Sequence, residues 1–90
     1  MTFEEFVLAY ANHYGSHGET WLQEMIVGRL QAGMTTVHSV SEEIYTLNEQ
    51  MAVSKSEDFV EYAFAWSFRS RLEYMIMDWN RYDSTGENYF

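Results

Sequence analysis

The chain is predicted to be all-α: a small, single-domain bundle of about four helices with a long C-terminal helix at its centre. Three observations predict it. Proline is absent from all 90 residues, so only glycine and capping residues interrupt helices. Apolar residues recur at spacings of three and four through four separate segments. Glycines or Ser/Thr-x-x-Glu patterns stand at the junctions between those segments.

The first helix opens at a capping box, Thr2-x-x-Glu5. It carries Phe3, Phe6, Val7, Tyr10, Ala11 and Tyr14 at helical spacing, and Gly15 is read as its left-handed C-terminal residue. The second follows a box at Ser16-x-x-Glu19, sets Trp21, Leu22, Met25, Ile26 and Leu30 on one stripe, and ends at Gly33. Gly28 lies inside it, where it costs about 1 kcal/mol relative to Ala. That placement suggests a close approach by a neighbouring helix. The third runs from Val37 to Val53, or starts later if Ser39-x-x-Glu42 is its cap. Thr35-Thr36-Val37 has strand propensity, but Val37, Val40, Ile44, Leu47 and Met51 follow helical spacing, not alternation. The fourth is capped by Ser54-x-x-Glu57 or by Ser56 and runs from Glu57 to Arg81. Its apolar residues occupy more than one stripe, which places it centrally with neighbours on several sides. Asp83-Ser84-Thr85-Gly86 reads as a turn, and residues 87–90 as a tail that either frays or docks through Tyr89 and Phe90.

Ninety residues make one domain, 1–90, which buries only about two-thirds of its extended-chain surface. Phe6, Trp21, Phe64, Phe68, Leu72 and Met75 are expected in the core. Tyr45, Tyr62, Tyr74 and Tyr82 fall on or near polar faces. There is no cysteine, hence no disulfide or thiolate site. The start Met1-Thr2-Phe3-Glu4-Glu5 is acidic, unlike a signal peptide, and no apolar run approaches the roughly twenty residues of a membrane span. A soluble, cytoplasmic protein is expected.

Fourteen carboxylates face five cations, for a net charge of −9. Direct nucleic-acid binding, which needs cations to displace counterions, does not fit that balance. Anionic lipid would be repelled as well. Half of the carboxylates, Glu4, Glu5, Glu19, Glu42, Glu43, Glu57 and Asp58, fall in expected first helical turns, where the helix dipole favours them. The same dipole asks for cations in last turns, and the first three helices supply Arg29 and little else. Glu57 and Glu61 stand at i,i+4, an unfavourable spacing for like charges on a helix. Such uncompensated repulsion suggests that the negative field is itself useful.

Carboxylates one helical turn apart lie about 5–6 Å apart along the axis, near the spacing of phosphates on a strand. A row of them could occupy a cationic groove built for nucleic acid. The residues expected to form that surface are Glu42, Glu43, Glu49, Glu57, Asp58 and Glu61, with Tyr45 and Tyr62 as ring anchors. Sixteen aromatic residues and a single Lys match the composition of interfaces, which favour rings and Arg over Lys. A homodimer seam would use the same residues.

No catalytic, cofactor or metal site is expected. His13-x-x-x-His17 has ligand spacing, but Gly15 is expected to break the helix between them. The serines sit at caps and not beside a His–acid pair, and no phosphate-binding glycine loop occurs. Asp78–Asp83 resembles a calcium loop only superficially, with Tyr82 at a ligand position and Asp83 where glycine belongs. Arg69–Glu73 and Asp78–Arg81 are expected as helix-face ion pairs. Small size, helical build, scarce lysine and an acidic, ring-rich surface resemble the general style of phage or mobile-element inhibitors. That resemblance implies a basic, nucleic-acid-binding protein as partner, such as a CRISPR effector, nuclease or restriction enzyme. A self-associating structural or adaptor protein without mimicry is the alternative.

Overall fold

The computed structural model describes residues 1–88 and 90, among which are four α-helices: α1 (Phe3–Ser16), α2 (Thr20–Gln31), α3 (Val37–Ser54) and α4 (Phe59–Thr85). The helical class and the dominant fourth helix agree with the sequence reading. α4 has 27 residues, about 40 Å at 1.5 Å per residue, and the molecule is 43 Å in its longest dimension. α1 pairs with α2, and α3 with α4. The first half of α4 lies along α3, where Gln50 reaches Glu61 and Arg69 reaches Asn48. Its second half faces α1, through Phe3 and Phe6 on Trp79 and the Tyr10 hydroxyl near the Arg71 carbonyl. One core results, from Phe6, Val7 and Tyr10 through Leu22, Ile26, Val40 and Leu47 to Phe68, Leu72 and Met75. Burial pushes the Tyr10 phenol far above its ordinary range; Tyr14 adds to the shift and Arg71 opposes it.

The helix ends show where local chemistry departs from the expected pattern. Thr2 and Glu5 form the anticipated capping box. The backbone and side-chain hydrogen bonds from Thr2 hold the Glu5 carboxyl below its usual range. Gly15 does not end α1. It lies inside the last turn, and the left-handed residue is Gly18, φ 97°. Ser16 caps nothing: its hydroxyl bonds back to the His13 carbonyl at 2.8 Å. Glu19 holds the N-cap position of α2 without a side-chain cap bond, because its carboxylate is taken by Arg71. α3 is boxed by Thr36 and Ser39, not by Ser39 and Glu42. Ser54 does not cap α4: it is the last residue of α3, its hydroxyl donating to the Gln50 carbonyl at 2.8 Å. Asp58 caps instead, accepting from the Glu61 amide at 3.0 Å.

α4 also runs four residues past its expected end. Ser84 and Thr85 are still helical and direct their hydroxyls back to the carbonyls of Asn80 and Arg81, as mid-helix Ser and Thr do. Left-handed Gly86 then closes the helix, its amide on the Tyr82 carbonyl at 2.7 Å. Beyond it, Phe90 returns to dock on Phe6 and Tyr10. The expectation for the Tyr89 ring falls outside the described residues.

Two glycines have opposite roles. A Cβ on Gly15 would overlap the Gln23 side chain, with Gln23 Cβ itself at 2.9 Å, whereas a Cβ on Gly28 meets nothing within 4 Å. The close approach inferred for Gly28 therefore belongs to Gly15, where α2 crosses α1. Gly28→Ala should raise stability by about 0.5–1 kcal/mol through helix propensity. Gly15→Ala gains the same propensity but must separate α1 from α2 and disturb the Gln23–Asn12 bond, so a net loss of about 1 kcal/mol is expected. Urea unfolding of both variants checks this; equal signs would contradict the crossing geometry.

Candidate interaction surface

Eighteen residues of α3 present two faces. Val40 and Leu47 point into the core. Glu42, Tyr45 and Glu49, at i, i+3 and i+7, point outward together, with Glu42 and Glu49 about 10 Å apart along the axis. Tyr45 is 66% exposed. A hydrogen bond to the Glu49 carboxylate raises its phenol above the ordinary range. The two side chains thus form one unit, a ring with an anionic tip, beside a shallow groove of about 360 Å³ that continues to Ala52 and Val53. Glu42 meets His38 at 2.8 Å on the solvent side. Glu43 leaves this face: it turns toward α2 and accepts from Arg29 Nε at 2.7 Å. With Glu42 it lines a depression of about 260 Å³ at the α2–α3 junction.

The other expected residues gather at the α3–α4 elbow. Glu57 lies in the connection and Asp58 caps α4. Glu61, in the first turn, accepts from Gln50 Nε2 at 3.0 Å. Tyr62 is half-buried. Because Glu57 is outside the helix, the i,i+4 repulsion read for Glu57 and Glu61 does not arise. The dipole account of the carboxylates shrinks too. Glu42 and Glu43 begin more than one turn into α3, which starts at Val37, so helix ends do not explain them. The expected residues form an outer α3 group and an elbow group, not one uninterrupted helical ladder. At the elbow the acids border exposed apolar side chains, Val53, Phe59 and Val60.

The four arginines are engaged by partners within the chain, while Lys55, the one lysine, stands exposed at the elbow. Arg29 pairs with Glu43, Arg71 with Glu19 and Arg81 with Asp78. Arg69 does not take the expected Glu73 partner; it crosses to α3 and donates to Asn48 at 3.1 Å. Outward negative charge on α3 is therefore not offset by these arginines.

The sequence reading missed a second surface. Trp21 and Phe64, both expected in the core, are exposed and meet edge to face at 6.4 Å on the side of α4 away from it. Tyr82 departs the other way: it stacks with Phe6 and Trp79 and accepts from the Met1 ammonium at 2.8 Å. The available signal was the small residues Ala63, Ser67 and Ser70 between the rings of α4, which leave room along that side.

Because α1 continues past Gly15, His13 and His17 do share a face, their rings 4.4 Å apart. His17 Nδ1 is engaged by the His13 carbonyl at 2.7 Å. Among the described residues, no three His, Cys, Asp or Glu side chains gather as a metal-binding group. No helix among them is long and apolar enough to cross a membrane. Compared with known proteins, the chain matches no family model, no curated protein and no solved structure.

Proposed function

We propose that the chain is a non-catalytic binding protein for a basic protein partner, whose nucleic-acid groove it occupies as a polyanion mimic. The observation that carries this reading is the shared outward face of Glu42, Tyr45 and Glu49, while the arginines are spent on internal and flanking partners. Glu57, Asp58 and Glu61 extend the negative field around the elbow, and Tyr45 supplies a ring for apolar or stacking contact. Glu43 acts indirectly, fixing α3 on α2 through Arg29, and half-buried Tyr62 supports the elbow. Nothing in this mode of binding requires a cofactor. The partner class is a nucleic-acid-binding host defence protein in the cytoplasm, such as a CRISPR effector, nuclease or restriction enzyme. The chain would act as an inhibitor of the kind phages and mobile elements use.

The tagged chain, incubated with extract of its host, tests the reading. The captured partner should be displaced by competing duplex DNA or RNA. Its affinity should fall roughly tenfold or more as salt rises from about 50 to 300 mM, because opposite charges dominate the contact. Glu42→Gln with Glu49→Gln should weaken it at low salt and flatten the salt response. A complex indifferent to both salt and competing nucleic acid would overturn mimicry.

A further inference from the structure

The acidic-face reading leaves unused the aromatic side of α4. Phe59, Trp66 and Met77 lie along one edge of this side and Phe64 along the other, with Val60 and Tyr74 at the two ends of the stripe between them, all exposed. Phe59 and Val60 are 77% and 78% exposed. Between the two edges run Ala63, Ser67 and Ser70. Their small side chains leave two adjoining depressions of about 380 and 300 Å³, which share Ser67 and are both walled by Trp21 of α2. From the fractional exposures and the full areas of such residues, the face presents about 800 Å² of accessible surface, most of it apolar. That exceeds the largest patch on a typical monomer and equals one partner's share of a standard interface.

We infer that a second copy of the chain closes this face, the two α4 helices crossing antiparallel about a two-fold axis at Ser67. The sequence is self-complementary about that point. An antiparallel crossing centred on Ser67 sets Phe64 level with the partner copy's small residue at position 70, across the seam, and Val60 beside the partner copy's ring at position 74. Rings thus fill the depressions that small residues leave, and the symmetry operation satisfies both sides at once. From Tyr62 to Phe68 the helix carries no charge. Arg71 at the edge is already paired with Glu19, so closure buries no unpaired ion. This uncharged stretch does not suit the cationic partner that the α3 face calls for, whereas the same apolar face of a second copy, its Arg71 already paired, fits it.

The inference does not rest on the mimicry reading, and salt separates the two. Each copy carries −9, so the flanks of a dimer repel. Screening should therefore tighten the dimer as ionic strength rises, the reverse of the expected trend for the acidic face and a basic partner.

Sedimentation velocity of the full chain from about 1 to 500 μM should show a monomer–dimer equilibrium of micromolar strength or tighter for this area. Tryptophan emission should shift to the blue with rising concentration as Trp21 and Trp66 leave water. Phe64→Glu and Ser67→Arg each place a charge at the seam and should weaken association at least about 30-fold, with helical content unchanged by circular dichroism. Glu42→Gln with Glu49→Gln should dimerise at least as well as the parent chain. A monomer at every concentration would overturn the proposal and leave the acidic face untouched. So would a dimer that survives both seam charges. Should Phe64→Glu fail to fold, Ser67→Arg alone decides, since its half-buried site lies on the helix surface.

Discussion

Phe6→Ala is expected to lower stability by about 3–5 kcal/mol and the melting temperature by roughly 15–30 °C for a domain of this size. Phe6 is fully buried. Its ring meets Trp79 at 5.3 Å, Tyr82 at 5.5 Å and Phe90 at 5.0 Å, so a single side chain joins α1, the end of α4 and the chain terminus. The backbone of α1 packs chiefly on α2, and its attachment to α4 runs largely through these rings. Truncation opens a cavity whose walls are large and flat, and flat rings collapse poorly into a void. The loss is a substantial share of the 5–15 kcal/mol available to a small domain. Phe6→Leu keeps most of the volume and should cost less than half as much. Circular dichroism melts compare the three chains. A loss below about 1 kcal/mol for the Ala variant would mean that α1 is held to α4 by something other than the ring cluster.

Helix number, the capping box at Thr2 and the core stripe of α3 were legible because each depends on neighbours within one or two turns. Thr2 and Glu5 are three residues apart, and nothing else competes for their side chains. Ser16, Glu19 and Ser54 each have the right residue type for a cap but are placed otherwise. Ser16 and Ser54 are the last residues of the preceding helices, where their hydroxyls donate back to the His13 and Gln50 carbonyls. The Glu19 carboxylate is claimed by Arg71, fifty-two positions away, and a competitor that distant leaves no local trace. Gly15 illustrates the same limit. Its sequence context fits a helix end, yet its reason for being glycine is Gln23 on the crossing helix.

The acidic surface was only half legible for a geometric reason. Composition gives the number of carboxylates but not their direction. The adjacent pair Glu42 and Glu43 differs by 100° around the helix, enough to send one to solvent and the other to Arg29. The exposed side of α4 was harder still. Apolar residues on several stripes of a helix can mean several neighbours within one chain or a neighbour in another. Periodicity is identical in both cases, and only the packing separates them: Arg29 of α2 lies over fully buried Phe68, while Phe64 meets only the edge of Trp21 and stays 44% exposed.

Arg71→Ala should cost about 2–3 kcal/mol, between the small worth of exposed ion pairs and the large penalty of breaking buried ones. The Arg71 guanidinium lies 4.5 Å from the Tyr14 ring centroid and pairs with Glu19 at the start of α2. Its side chain is 24% exposed and that of Glu19 35%, so both ions are partly withdrawn from water. Removing the cation forfeits the cation–π contact, about 0.5–2 kcal/mol, and the packing of a long aliphatic stem. It also leaves a half-buried carboxylate without its counter-ion at the start of α2, a helix start with no side-chain cap. Arg71→Lys restores charge but not the planar group that lies over Tyr14 while reaching Glu19, so it should recover less than half of the loss. Glu19→Gln alone should cost less than Arg71→Ala, because the arginine keeps its ring. A double-mutant cycle by urea unfolding isolates the pair. A coupling energy indistinguishable from zero would show the bridge to be solvated, with packing as the arginine's whole contribution. The consequence reaches the aromatic side of α4, because Arg71 and Glu19 line the same depression as Trp21 and Trp66. A chain that lacks the bridge should hold its Trp21 wall less firmly and should self-associate more weakly than its remaining stability alone would require.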